Sequence, residues 1–221
     1  MLRNHLFDSG TWKSVAFEFP VIYVGTLAND ATIGISRYIQ NLLSASLHVY
    51  RYDLSKFELQ KKEVSNYYSL LSSDDTFCTT HQVLGLSEWY QKNPNTTAFV
   101  MNGQFLKNEI RPQLRILVTN FERLLSQDKL FPIGNLHASR RAAEIADVLI
   151  VSQTPDEANL KAMEEDLKPF LKSNTPVFFI KNSNQSLGVF NSVDKIEFIS
   201  DRHNFERLIL NVLPNANLDS E

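Results

Sequence analysis

One cysteine, Cys78, stands in 221 residues. That excludes an internal disulfide and any multi-thiolate metal site, and it fits a reducing compartment. His81 lies three residues further on, but with no third ligand beside them the pair is incidental and no metal is expected. Positive charge is scarce too: 22 Lys and Arg face 25 Asp and Glu, for a formal net charge of −3, which argues against nucleic acid as a partner. Long apolar runs are also missing. No segment reaches the roughly 20 residues that cross a bilayer, and the first twenty residues carry no signal-peptide core. The expectation is a cytoplasmic protein without a transmembrane segment. Against these absences, a hydrophobic content of 43% supplies enough apolar surface for one large or two small domains.

Apolar strand-like runs alternate with helical patterns along the chain. The strand candidates are 21–24, 47–52, 97–101, 115–119, 148–152 and 176–180. Helices are expected from about Tyr38, over 84–91, over 142–146 and from Pro155 to Leu171, with a further one near Asn204 or Phe205. Six apolar strands separated by helices predict a doubly wound, mostly parallel α/β sheet with helices on both faces. Residues 1–213 read as one such domain, with 1–19 as an amphipathic lead-in and 214–221 as a frayed tail.

The segment Val21–Ser36, VIYVGTLANDATIGIS, has the strand, loop and helix order of a phosphate-binding loop. Its chemistry is wrong for one: such a loop wants successive glycines, a Lys for the phosphates and a Ser or Thr for Mg²⁺. Here no Lys occurs, and Asp30 would repel phosphate. Thr32 remains able to hydrogen-bond an anion at the helix N-terminus, while the Asp30 carboxylate is placed to occupy those amides itself.

Further blocks carry a family resemblance. Leu2–Gly10 and Pro20–Gly25, the run from Phe99 to Arg111-Pro112-Gln113-Leu114, the segments Ile116–Phe121, Leu130–Leu136 and Ala146–Val151, and Asp201-Arg202-His203-Asn204-Phe205 together resemble the tetraacyldisaccharide 4′-kinases. These enzymes phosphorylate a lipid A precursor with MgATP. The resemblance covers nearly the whole chain and implies a P-loop-NTPase-like fold. It also implies that the family's N-terminal membrane anchor would end before Met1 and that a segment ahead of the DHH motif is missing.

Where the sequence departs from the family, it departs at chemistry. The family's GGTGKT stands as Asp30-Ala31-Thr32-Ile33-Gly34-Ile35, with Gly34 at the Lys and Ile35 at the Mg²⁺ hydroxyl. Its DDxFQH segment becomes Asn102-Gly103-Gln104-Phe105-Leu106-Lys107, which lacks both carboxylates and the His. In its LREP segment, Arg and Glu give way to His137 and Ala138, and Arg202 replaces the central His of DHH. Asp201 and His203 are left as candidates for acid/base work, with a helix cap as the plainer role for Asp201. Lys107 is a candidate to reach back over a phosphate, or else an exposed loop residue. His137, Arg140 and Arg141 form the most basic cluster and are candidates for an anion or lipid headgroup, or a solvated helix start.

The resemblance thus implies a catalytically inactive relative with no cofactor. Its partners would be an active kinase paralogue, another envelope-biosynthesis protein or a glycolipid, at or near the inner membrane. The alternatives are an ATP- and Mg²⁺-dependent 4′-kinase with unconventional residues, and a glycolipid-binding module.

Overall fold

The computed structural model describes residues 19–28, 32–45, 47–53, 95, 97–105, 111–182 and 196–212. Alternate side chains of a strand point to opposite faces, and in β1 (Val21–Thr26) every residue is buried. Val21 and Tyr23 enter one core layer, whereas Ile22 and Val24 enter the other. A strand covered on both faces belongs in the interior of a parallel sheet. Accordingly, β1 pairs in parallel with β3 (Ala98–Gln104) on one side and β4 (Leu114–Asn120) on the other. With β2 (Val49–Asp53), β5 (Val148–Ser152), β6 (Val177–Asn182) and β7 (Ile196–Phe198), the sheet has seven strands in the order β2-β3-β1-β4-β5-β6-β7.

Helix α1 (Ile33–Leu43) lays Ile35, Ile39 and Leu43 on one face of the sheet, beside Phe205 and Ile209 of α3 (Arg202–Leu210). The other face is covered by Ala143 and Ala146, around the 3₁₀ turn Arg140–Ile145, and by Met163 and Leu167 of α2 (Leu160–Leu167). The predicted doubly wound architecture is therefore present, and each predicted strand that lies among the described residues forms.

Four boundaries differ from expectation. Helix α1 starts at Ile33 rather than near Tyr38, because its first buried residue is Ile35. The segment 155–171 is not one helix: Asn159 caps α2 by accepting from the Ala162 amide at 3.2 Å, and Pro169 falls in a separate 3₁₀ turn, Lys168–Phe170. The helix expected over 142–146 is 3₁₀ rather than α and begins at Arg140. A seventh strand, β7, joins β6 antiparallel; three residues are too few to show an alternating pattern. The expected N-terminal lead-in, the helix over 84–91, Cys78 with His81, and the C-terminal tail lie outside the described residues.

Successive strands lead outward from β1 in both directions, since β3 and β4 flank it while β2 and β5 lie beyond them. Open α/β sheets bind ligands outside the carboxyl ends of the strands at such a reversal. The loop after β1 sits there.

Candidate functional site at the carboxyl end of β1

The end of β1 is held from three sides. Thr26 Oγ1 accepts from the Ala28 amide at 3.1 Å and turns the chain out of the sheet. The Thr26 carbonyl accepts from the Phe105 amide at 2.6 Å, and the Leu27 carbonyl accepts from the His137 amide at 2.7 Å. Gly25 pairs with Gly103 of β3. A Cβ at Gly25 would lie 2.8 Å from the Tyr23 ring and 3.0 Å from the Phe105 Cα, so this position is kept small by packing. Phe105 itself is buried, as its place in the resemblance implied.

Asp30, Ala31 and Lys107 lie outside the described residues. Thr32 is the N-cap of α1, yet its side chain makes no capping bond to the helix. Its Oγ1 instead accepts from Nδ2 of Asn102 at 3.3 Å. The two eroded motifs, 70 residues apart in sequence, thus meet through side chains. Asn102 is 3% exposed, and among the described residues its Oδ1 has no hydrogen-bond partner. A carboxylate could not donate this bond; the amide of Asn102 can. The first turn of α1 carries no acidic residue.

Ile35, at the expected Mg²⁺ position, is 3% exposed and packs into the core with Ile39 and Leu43. The next residue, Ser36, is fully buried, and its hydroxyl donates to the Ile33 carbonyl at 2.9 Å. Neither side chain is free for a metal. Among the described residues, this loop and the first turn of α1 thus present neither a Lys nor, at position 35, a hydroxyl to a phosphate-bound metal.

The basic cluster divides. Arg140 donates through Nε to the Asp128 carbonyl at 3.0 Å, donates to it again through Nη2, and stacks over Phe170 with its Cζ 5.7 Å from the ring centroid. Its role is to hold a loop, and it is not a free headgroup ligand. His137 and Arg141 are exposed. Ser139 caps the 3₁₀ turn by accepting from the Arg141 amide.

Asp201 is the N-cap of α3, accepting from the Asn204 amide at 3.0 Å. The plain structural role is therefore present. Arg202, at the departure from DHH, donates through Nε to Glu206 at 2.7 Å and lies over the Tyr38 ring. Tyr38, in the second turn of α1, donates to the same carboxylate. Burial, and next Glu206, push the Tyr38 hydroxyl up to about 12. Burial alone would raise the Glu206 carboxyl, but the bonds from Tyr38 and Arg202 outweigh it and hold it below its ordinary value. His203 is exposed beside this cluster. Among the described residues, no hydrogen bond or ion pair links Asp201 or His203 to Thr32 and Asn102.

One polar pair at the carboxyl edge was not singled out from sequence. Asn120 Nδ2 donates to Gln153 Oε1 at 2.6 Å, and Gln153 has φ of 58°. The signal was there: polar residues directly follow the apolar runs of β4 and β5.

No protein-family model matches the chain. Curated relatives do. The chain is 25% identical over 197 residues to a tetraacyldisaccharide 4′-kinase of Flavobacterium johnsoniae, a match covering 80% of this chain and 58% of that protein. It is 27% identical over 179 residues to that of Bacteroides thetaiotaomicron, covering 71% and 46% respectively. Among solved structures, LpxK from Aquifex aeolicus, crystallised in complex with ATP, superposes with a TM-score of 0.51 at 21% identity, covering 80% of this chain and 59% of that one. The chain thus spans about half the length of the relatives it matches. In sequence this chain is similar to the tetraacyldisaccharide 4′-kinases, and in fold it is an α/β protein of the P-loop kinase type.

Proposed function

We propose that the protein keeps the scaffold of a tetraacyldisaccharide 4′-kinase but not its phosphoryl transfer, and acts by binding or regulation. An active kinase paralogue or another envelope-biosynthesis protein would be its partner. The observation that carries this reading is the pairing of Asn102 with Thr32 beside a buried Ile35. At positions where the family places an acid and a metal ligand, this chain has a neutral amide and a core hydrophobe.

Phosphoryl transfer depends on positioning and on stabilising charge. A single preorganised donor is worth about 2.7–4 kcal/mol in a transition state. Loss of the loop Lys, the Mg²⁺ hydroxyl and the acidic pair together leaves little to catalyse with.

Thermal unfolding with and without MgATP tests this directly. A site filled at 100 times its Kd would add about 2.7 kcal/mol, and the expected shift is none. A Mg²⁺-dependent rise in Tm would favour the competing reading, an active 4′-kinase with unconventional residues, which rests on the activity named for the relatives.

A further inference from the structure

The loop from Arg123 to Arg141 ends in an apolar tip: Leu130 is 51%, Phe131 71% and Ile133 82% exposed. Among the described residues these are the exposed large hydrophobics. The tip is tightly built. The Phe131 amide donates to Leu136 O at 2.9 Å, Leu136 N to Lys129 O at 3.0 Å, and the Ile133 and Gly134 amides both to Leu130 O at 3.0 Å. Asp128 Oδ1 accepts from the Lys129 and Asn135 amides at 2.7 and 3.1 Å. A Cβ at Gly134 would lie 2.3 Å from Lys129 O, so the turn admits only glycine. Backbone bonding thus holds three large apolar side chains in water, at a free-energy cost that a partner can recover.

Charge around the tip selects the partner. Between Arg123 and Arg141 the sequence has four Lys or Arg against one acid, Asp128, in a chain whose net charge is −3. Asp128 is itself committed to the loop amides, whereas Arg123, Lys129 and Arg141 are exposed. An apolar tip in a basic stretch of chain, with the exposed Lys129 directly before it, matches the interface of an anionic bilayer, where acyl chains lie beneath phosphate headgroups.

We propose that the 130–133 tip is a membrane-docking element, with Leu130, Phe131 and Ile133 entering the acyl boundary of an anionic phospholipid bilayer and Lys129 and Arg141 at its headgroups. Because His137 donates to the Leu27 carbonyl, docking would hold the carboxyl edge of the sheet close to the bilayer. This requires neither nucleotide nor catalysis, so it stands or falls apart from the function proposed above.

The test is co-sedimentation of the full chain with vesicles of phosphatidylcholine, alone or mixed with phosphatidylglycerol. The chain should pellet with the mixed vesicles and release at high salt. Phe131→Ala with Ile133→Asp should weaken binding about tenfold or more, and Lys129→Glu should weaken it less. Ile133→Asp alone, at an exposed side chain, should keep the wild-type Tm and still lose binding, which separates docking from misfolding. Equal pelleting of variants and wild type would overturn the proposal. So would absence of pelleting by the wild type, or self-association in sedimentation velocity that the same substitutions abolish without any vesicle binding.

Discussion

Helix α1 meets the rest of the protein in two different ways. In its second turn, Tyr38 and Arg202 both donate to Glu206, and Arg202 covers the Tyr38 ring. Phe198 and Phe205 close around the same ring, with centroids 5.5 and 6.3 Å away. At its N-terminus, Thr32 receives one bond of 3.3 Å from Asn102, whose buried oxygen has no partner among the described residues. A buried polar atom left unpaired costs free energy. The contrast teaches where the molecule is optimised for stability and where it is not. The helix seam satisfies its polar groups, while the loop end retains unused hydrogen-bonding capacity at the position where the fold family keeps its chemistry.

Breaking the well-paired end should have the largest effect. Phe205 is fully buried between sheet and helix, and Phe205→Ala should cost about 3–5 kcal/mol in denaturant unfolding. A cost under 1 kcal/mol, about that of a single surface pair, would mean that the seam is not part of the cooperative core.

The loop end is probed by Asn102→Asp. A carboxylate there could only accept from the Thr32 hydroxyl and would be buried without a compensating cation, so a loss of roughly 1–3 kcal/mol at neutral pH is expected. Burial would raise the new acid's pKa, so the neutral form is favoured in the folded state. The variant should therefore recover relative to wild type as pH falls. A variant as stable as wild type at neutral pH, or stabilised by Mg²⁺, would instead mark the site as built for charge.

The smallest change sharpens the seam. Tyr38→Phe should cost roughly 1 kcal/mol or less, the worth of one part-exposed hydrogen bond. Its pH signature is more telling. Tyr38 is raised from 10.0 to about 12, so its contribution is complete below the unfolded value and is lost as pH rises through the folded one. Glu206 is lowered, so its contribution is complete above its ordinary value of 4.5 and is lost as pH falls through the folded one. Alkaline unfolding followed by circular dichroism should show a steeper loss above about pH 10 in wild type than in Tyr38→Phe.

Much of the sheet was legible because its strands are covered on both faces, and runs such as ILV in β4 or VLIV in β5 then stand out in the sequence. The seventh strand was not, since Ile196–Phe198 is held by pairing with β6 rather than by a hydrophobic pattern. The long helix expected over 155–171 failed for local reasons: the Asn159 cap and Pro169 divide the segment. At the site, the cap role of Asp201 was readable three residues ahead of the Asn204 amide. The bond between Asn102 and Thr32 was not, because residues 70 apart become neighbours only when β3 lies beside β1.

The sequence by itself determined that this chain lacks the loop Lys and the acidic pair, since the identity of a side chain is fixed before folding. It also determined the layered α/β core, because period and burial follow from the order of apolar residues. Only the tertiary structure decided what the substituted residues do instead. It put Ile35 into the core, turned Asn102 toward Thr32, committed Arg140 to the Asp128 carbonyl and left Leu130, Phe131 and Ile133 in water. Each of these outcomes depends on distances between segments remote in the chain, which pairing and packing set.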